Sequence, residues 1–121
     1  MEYVKWIDYK GKKILVGNLE NIGPKEWHEA NRQYEEIMKE QKENSILALV
    51  KTENSRFDAE TISGLKERSK KDAPYIKKTA VMGISGLKKV MFSAVMQYSG
   101  RNAKLFENEQ EAMDWLVSDG E

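Results

Sequence analysis

The chain has 121 residues, 40% hydrophobic and 33% charged, and its twenty basic side chains balance twenty acidic ones. That length suits one domain over residues 1–121 with a single core, and the charge balance speaks against a nucleic-acid binder, which needs excess positive charge. With no cysteine, disulfides, zinc-thiolate centres and thiol nucleophiles are excluded.

In chain order, Tyr3 to Tyr9 is rich in aromatic and β-branched residues, and Ile14-Leu15-Val16 is apolar. Lys10-Gly11-Lys12 between them predicts an antiparallel hairpin. Pro24 suits the first position of a helix, where no backbone donor is needed. Trp27, Ala30, Tyr34, Ile37 and Met38 then recur at helical spacing, so a helix is expected over 24–42. The apolar run Ile46-Leu47-Ala48-Leu49-Val50 is too short for a helix and suits a strand buried on both faces. Asp58 is placed to cap a helix over 59–72 that ends before Pro74. The inward stripe of that helix is thin. Ile62 and Leu65 are its large apolar members, with Ala59, Ser69 and Ala73 completing the face, and Gly64 weakens it further. Lys66, Arg68, Lys70 and Lys71, interleaved with Glu67 and Asp72, read as its outer face, and Lys77-Lys78 as the start of a strand.

Lys78 to Met82 is the next buried strand, a helix follows over 86–98, and Ala103 to Phe106 is a short last strand. Asn108 with Glu111 opens a final helix carrying Ala112, Met113, Trp115 and Leu116. Strands alternating with helices imply right-handed crossovers. The expected fold is therefore α/β, with a mostly parallel sheet of about five strands, an antiparallel N-terminal hairpin and about four helices.

The turn Gly83-Ile84-Ser85-Gly86-Leu87-Lys88 joins a buried strand to a helix. Free N–H groups at a helix start attract anions, so Gly83, Ser85, Gly86 and Lys88 are candidates for an anion site. The simpler reading is a sharp corner at Gly83 with Ser85 as helix cap, since the pattern is not a phosphate-binding Gly-Lys-Ser/Thr loop. The lone histidine, His28, has no partner in sequence that would make a catalytic arrangement, and the acidic clusters have helix-face spacing. No metal, cofactor or catalytic residue is indicated, and a non-enzymatic protein is expected. At about 100° per residue, Leu87, Val90, Met91, Ala94, Val95 and Tyr98 form one stripe on the third helix, with Phe92 and Met96 opposite. Two large apolar side chains on an outer face predict a partner contact, most simply a two-fold homodimer.

The element order and the segment YIKKTAVMGISGLKKVMFSAVMQYSGRNAKLFENEQEAMDWL, residues 75–116, resemble the SpoIIAA-like group of the STAS superfamily, which is also compared with CRAL-TRIO lipid carriers. The resemblance implies a regulatory or protein-interaction module switched by phosphorylation in the loop after the third strand. Here that loop reads Lys51-Thr52-Glu53-Asn54-Ser55-Arg56-Phe57-Asp58. It offers the hydroxyls of Thr52 and Ser55 without the family's Asp-Ser-Ser-Gly pattern. The resemblance also implies a second function, a small carrier or sensor for an apolar or amphipathic, lipid-like ligand. Thr52, Ser55 and Ser85 are expected to be exposed on one rim at the C-terminal ends of the strands, where open α/β sheets bind ligands. No apolar run approaches the ~20 residues of a membrane span. The N-terminus lacks a signal-peptide layout, so a cytoplasmic protein without integral membrane association is expected.

Overall fold

The computed structural model describes residues 1–84 and 87–118. The elements are β1 (Val4–Tyr9), β2 (Lys12–Asn18), α1 (Pro24–Met38), β3 (Ile46–Lys51), α2 (Ala59–Asp72), β4 (Ile76–Met82), α3 (Leu87–Ser99), β5 (Ala103–Phe106) and α4 (Glu109–Val117). The five strands form one sheet in the order β1-β2-β3-β4-β5. β1 runs antiparallel to β2, and the remaining pairs are parallel. The hairpin turns on Lys10 and Gly11, both at positive φ, as a two-residue turn between twisted strands requires.

Strand order equal to chain order determines where the helices go. Each crossover moves one place in the same direction, and each is right-handed, so the connecting helices fall on one face of the sheet. Trp27, Ala30, Tyr34 and Met38 of α1 pack there with Leu15 and Ala48, and Leu65 of α2 joins them. α4 follows the last strand and connects nothing, so it is free to cover the other face. Its Ala112 and Leu116 pack on Ile14, Val16, Leu47, Leu49 and Ala80. β3 is thus buried on both faces, as its continuous apolar run predicts.

The caps follow the sequence. Asp58 Oδ1 accepts the Thr61 N–H at 2.8 Å, and Asn108 Oδ1 accepts the Glu111 N–H at 3.0 Å. At α1 the cap is Gly23, whose N–H donates to the Glu26 carboxylate at 2.8 Å, with Pro24 next. α1 is shorter than the periodicity predicts. It stops at Met38, and the N–H groups of Glu40 and Gln41 tighten the end by donating to Ile37 and Met38.

The face of α3 differs from the sequence expectation. Phe92 and Val95 are buried, Met96 is half-buried, and Val90 and Tyr98 are 68% and 55% exposed. α3 carries apolar residues almost all round, so periodicity offers two competing stripes. The one that buries a phenylalanine removes more apolar area from water. The predicted contact pair Phe92 and Met96 therefore belongs to the inner side of the helix.

Candidate functional site

The loop after β3 lies against Gly83 at the end of β4, but it is closed. The Thr52 N–H and hydroxyl both donate to the Met82 carbonyl, at 2.9 and 2.8 Å, which ties the loop after β3 to the end of β4. The Ser55 hydroxyl donates to the Thr52 carbonyl at 2.8 Å. Both residues are buried rather than exposed, at 0% and 2%. The physical reason is that each hydroxyl finds its own acceptor inside the loop, as a second donor to a carbonyl that already accepts a backbone N–H, so neither needs water. The loop is also bound to the segment before α1, through Asn21 N–H to the Glu53 carbonyl at 3.0 Å and Arg56 N–H to the Ile22 carbonyl at 2.8 Å. The strand order contains no reversal among its parallel strands, so the crevice that opens at a topological switch point is missing. Of the anion-turn candidates, Gly83 lies against this loop. Ser85 and Gly86 lie outside the described residues, as does the side chain of Lys88.

His28 is exposed on α1, near Asp58, whose carboxyl is held below its usual range chiefly by hydrogen bonds from Thr61. Among the described residues no group of acidic or histidine side chains could hold a metal ion, and no helix is long and apolar enough to cross a membrane.

The unexpected chemistry lies deeper, between the sheet and α2 and α3. α2 turns a polar face inward: Thr61, Ser69 and Asp72 are buried, and the Arg68 side chain is 10% exposed. Arg68 and Asp72 were expected on the outer face of α2. They point inward because residues three or four apart share a face, here Thr61, Leu65, Arg68, Ser69 and Asp72. Arg68 Nε lies 3.3 Å from Asp72 Oδ1.

Arg101 completes the group from the far side. The end of α3 is closed by Arg101 N–H to Met96 and Gly100 N–H to Gln97, both 3.3 Å, the Schellman arrangement. That turn directs Arg101 back under the helix. Its Nη1 donates to the Ser69 hydroxyl at 3.2 Å and its Nη2 to the Thr79 hydroxyl at 2.6 Å. Burial lowers the Arg101 pKa and raises that of Tyr34, which faces the same cluster. Burial also pushes Asp72 up to about 6, against the pull of Arg68 and Arg101. Arg68 Nε, Asp72 Oδ1 and Arg101 Nε are buried and have no hydrogen-bond partner.

Arg68, Asp72 and Arg101 line a cavity of about 50 Å³, together with Val50, Leu65, Val81, Phe92, Val95 and Met96. A larger depression of about 710 Å³ lies at the opposite ends of the strands, but it is open and its Lys12, Lys13, Lys42 and Lys77 are exposed. The smaller cavity is the chemically loaded one. Sequence reading missed it because Arg68 and Asp72 sit in a run of charges that looks solvated. The available signal was their four-residue spacing in phase with Leu65 and Ser69.

No family model matches the chain, and no curated protein matches it. A crystal structure of an uncharacterised protein of the DUF3478 family from Shewanella loihica, described as having a SpoIIAA-like fold, is similar to it. The two superpose with a TM-score of 0.78 over 94% of this chain and 92% of that chain, at 16% sequence identity. The five-stranded sheet with its antiparallel hairpin and four helices is thus a SpoIIAA-like α/β fold.

Proposed function

We propose that the chain is a non-enzymatic binding module, a carrier or sensor for a small amphipathic ligand that uses the cavity beneath α2 and α3. One observation carries this reading: Arg68, Asp72 and Arg101 line a cavity as a charged cluster in which Arg68 and Asp72 form an ion pair without a hydrogen bond, and Arg101 Nε is buried without one. Burying charge without full pairing costs several kcal/mol per ion and gives little stability in return. A ligand that completes the pairing accounts for the arrangement. Native mass spectrometry of protein from its own cell, followed by organic extraction, is the test. A bound small molecule released on unfolding is expected. Protein that carries no added mass, and whose melting temperature no amphiphile raises, contradicts the reading.

A second reading, docking on a protein partner in the manner of STAS modules, is favoured by a different observation. Val90, Ala94 and Tyr98 are exposed along α3. Aspartate at Val90 and Tyr98 is expected to abolish association in sedimentation if that stripe is covered. A wild type that stays monomeric at all concentrations and retains no protein in pull-downs removes this reading. Phosphorylation at Thr52 or Ser55 has less support, since either hydroxyl would first have to leave its buried carbonyl partner.

A further inference from the structure

Resting on the ligand-binding reading, we infer that the ligand is a single-chain amphiphile with an anionic head. The head is held by Arg101 beneath α3, and the apolar chain lies in the groove between α3 and β5.

The head follows from charge. Arg68 and Arg101 face one carboxylate, Asp72, so with all three ionised the cluster carries one excess positive charge. The Arg101 side chain is half-buried, two of its nitrogens are occupied by the hydroxyls of Ser69 and Thr79, and its buried Nε has no hydrogen-bond partner. A carboxylate or phosphate oxygen is the acceptor such a donor takes most strongly. Neutral head groups leave the excess charge uncompensated.

The chain follows from space. An enclosed water needs roughly 10–15 Å³, and this cavity offers about 50 Å³. There is room for an acid group or a few waters, and none for an alkyl chain. On the other side of α3 a groove of about 560 Å³ runs along β5, with Ala103 and Leu105 in its lining. Ligand pockets of 300–1,000 Å³ are typical. Val81, Phe92, Met96 and Arg101 line both spaces. They form the common wall, and Met96, unbranched and half-buried, is its most easily repositioned member. A head at Arg101 and a tail over Leu105 therefore belong to one continuous path once Met96 turns aside. β5 is the edge strand, so no further strand covers the groove.

The test is titration calorimetry of the full chain with decanoate, decyl phosphate and decanol. Wild-type protein is expected to bind either acid roughly tenfold to a hundredfold more tightly than the alcohol, the range for hydrogen bonds to charged groups. The preferred acid identifies the head, and either preference supports the inference. Arg101→Met is expected to erase the difference between acid and alcohol, and Arg101→Lys to keep part of it. Leu105→Asp changes a partly exposed position, so the fold is kept, and it is expected to weaken decanoate binding severalfold. If Arg101→Met does not fold, the wild-type comparison and Leu105→Asp decide. Equal binding of decanol and decanoate, an uncharged extracted ligand, or unchanged decanoate binding by Leu105→Asp overturns this inference and leaves the carrier reading standing. No extracted ligand and no binding of any probe overturns both.

Discussion

Gly83 occupies a place where a side chain would collide with the backbone of Glu53. Its φ is +82°, and a Cβ there would overlap the Glu53 nitrogen and lie 2.7 Å from the Glu53 Cα. The end of β4 and the loop after β3 are held together at this point by the Thr52 bonds to Met82. The glycine is required because two backbones cross.

Gly83→Ala is accordingly expected to destabilise the protein by about 2 kcal/mol or more, since both the left-handed backbone and the overlap count against it. Urea unfolding measures this. A midpoint unchanged from wild type would show that the two loops separate without cost.

Lys78 is buried, and its ammonium donates to the carbonyls of Trp115 and Ser118 at 2.9 and 3.0 Å and to the Ser118 hydroxyl at 3.0 Å. It also sits 5.1 Å from the centre of the Trp115 ring. A cation on the last carbonyls of α4 matches the helix dipole and fixes the helix to the sheet. Lys78→Met keeps the apolar stem and removes those bonds. A loss of about 1–3 kcal/mol is expected, with faster amide exchange confined to the end of α4. Global loss of protection instead would mean that Lys78 supports the whole core.

The parts of this molecule that were legible in its sequence are those in which one local rule decides. Pro24, Asp58 and Asn108 mark helix starts through capping, and Ile46–Val50 is apolar throughout because both faces of β3 are covered. The helix faces were harder. α3 has apolar residues on several sides, so its buried side is set by the sheet it lands on. α2 packs Arg68 and Asp72 against Arg101, a residue far along the chain, and only the tertiary fold makes that pairing. Lys78 was read as a strand start for the same reason: the carbonyls it satisfies belong to α4.

Asp72 gives stability a pH dependence of defined sign. Its pKa rises from 3.8 to about 6, chiefly because burial disfavours the charge. The folded state thus holds this proton more tightly than the unfolded chain. The contribution to stability is fully present below about pH 4 and is lost as pH rises through about 6. A shift of this size corresponds to about 3 kcal/mol. Glu29 works in the opposite sense, held down to about 2 by Arg32 and Gln33, but it is common to wild type and variant. The stability of wild type minus that of Asp72→Asn is therefore expected to fall between pH 4 and 7. Parallel denaturation curves across that range would assign the proton elsewhere.

The orientation of α3 is open to a direct test, because its two candidate stripes predict opposite results. Phe92 is buried beside Val95, while Val90 stands clear of the protein and Tyr98 lies 5.1 Å from the Lys70 ammonium at its outer side. Phe92→Ala removes a ring from the core and is expected to cost about 3 kcal/mol or more. Phe92→Asp places a charge there with no partner and is expected to prevent folding. Val90→Asp changes an exposed position and is expected to shift stability by no more than about 0.5 kcal/mol. Thermal unfolding followed by circular dichroism separates the two patterns. A Phe92→Asp protein that folds normally while Val90→Asp unfolds would rotate α3 by most of a half-turn, turn Met96 away from the Arg101 cavity, and remove the common wall on which the α3–β5 groove depends.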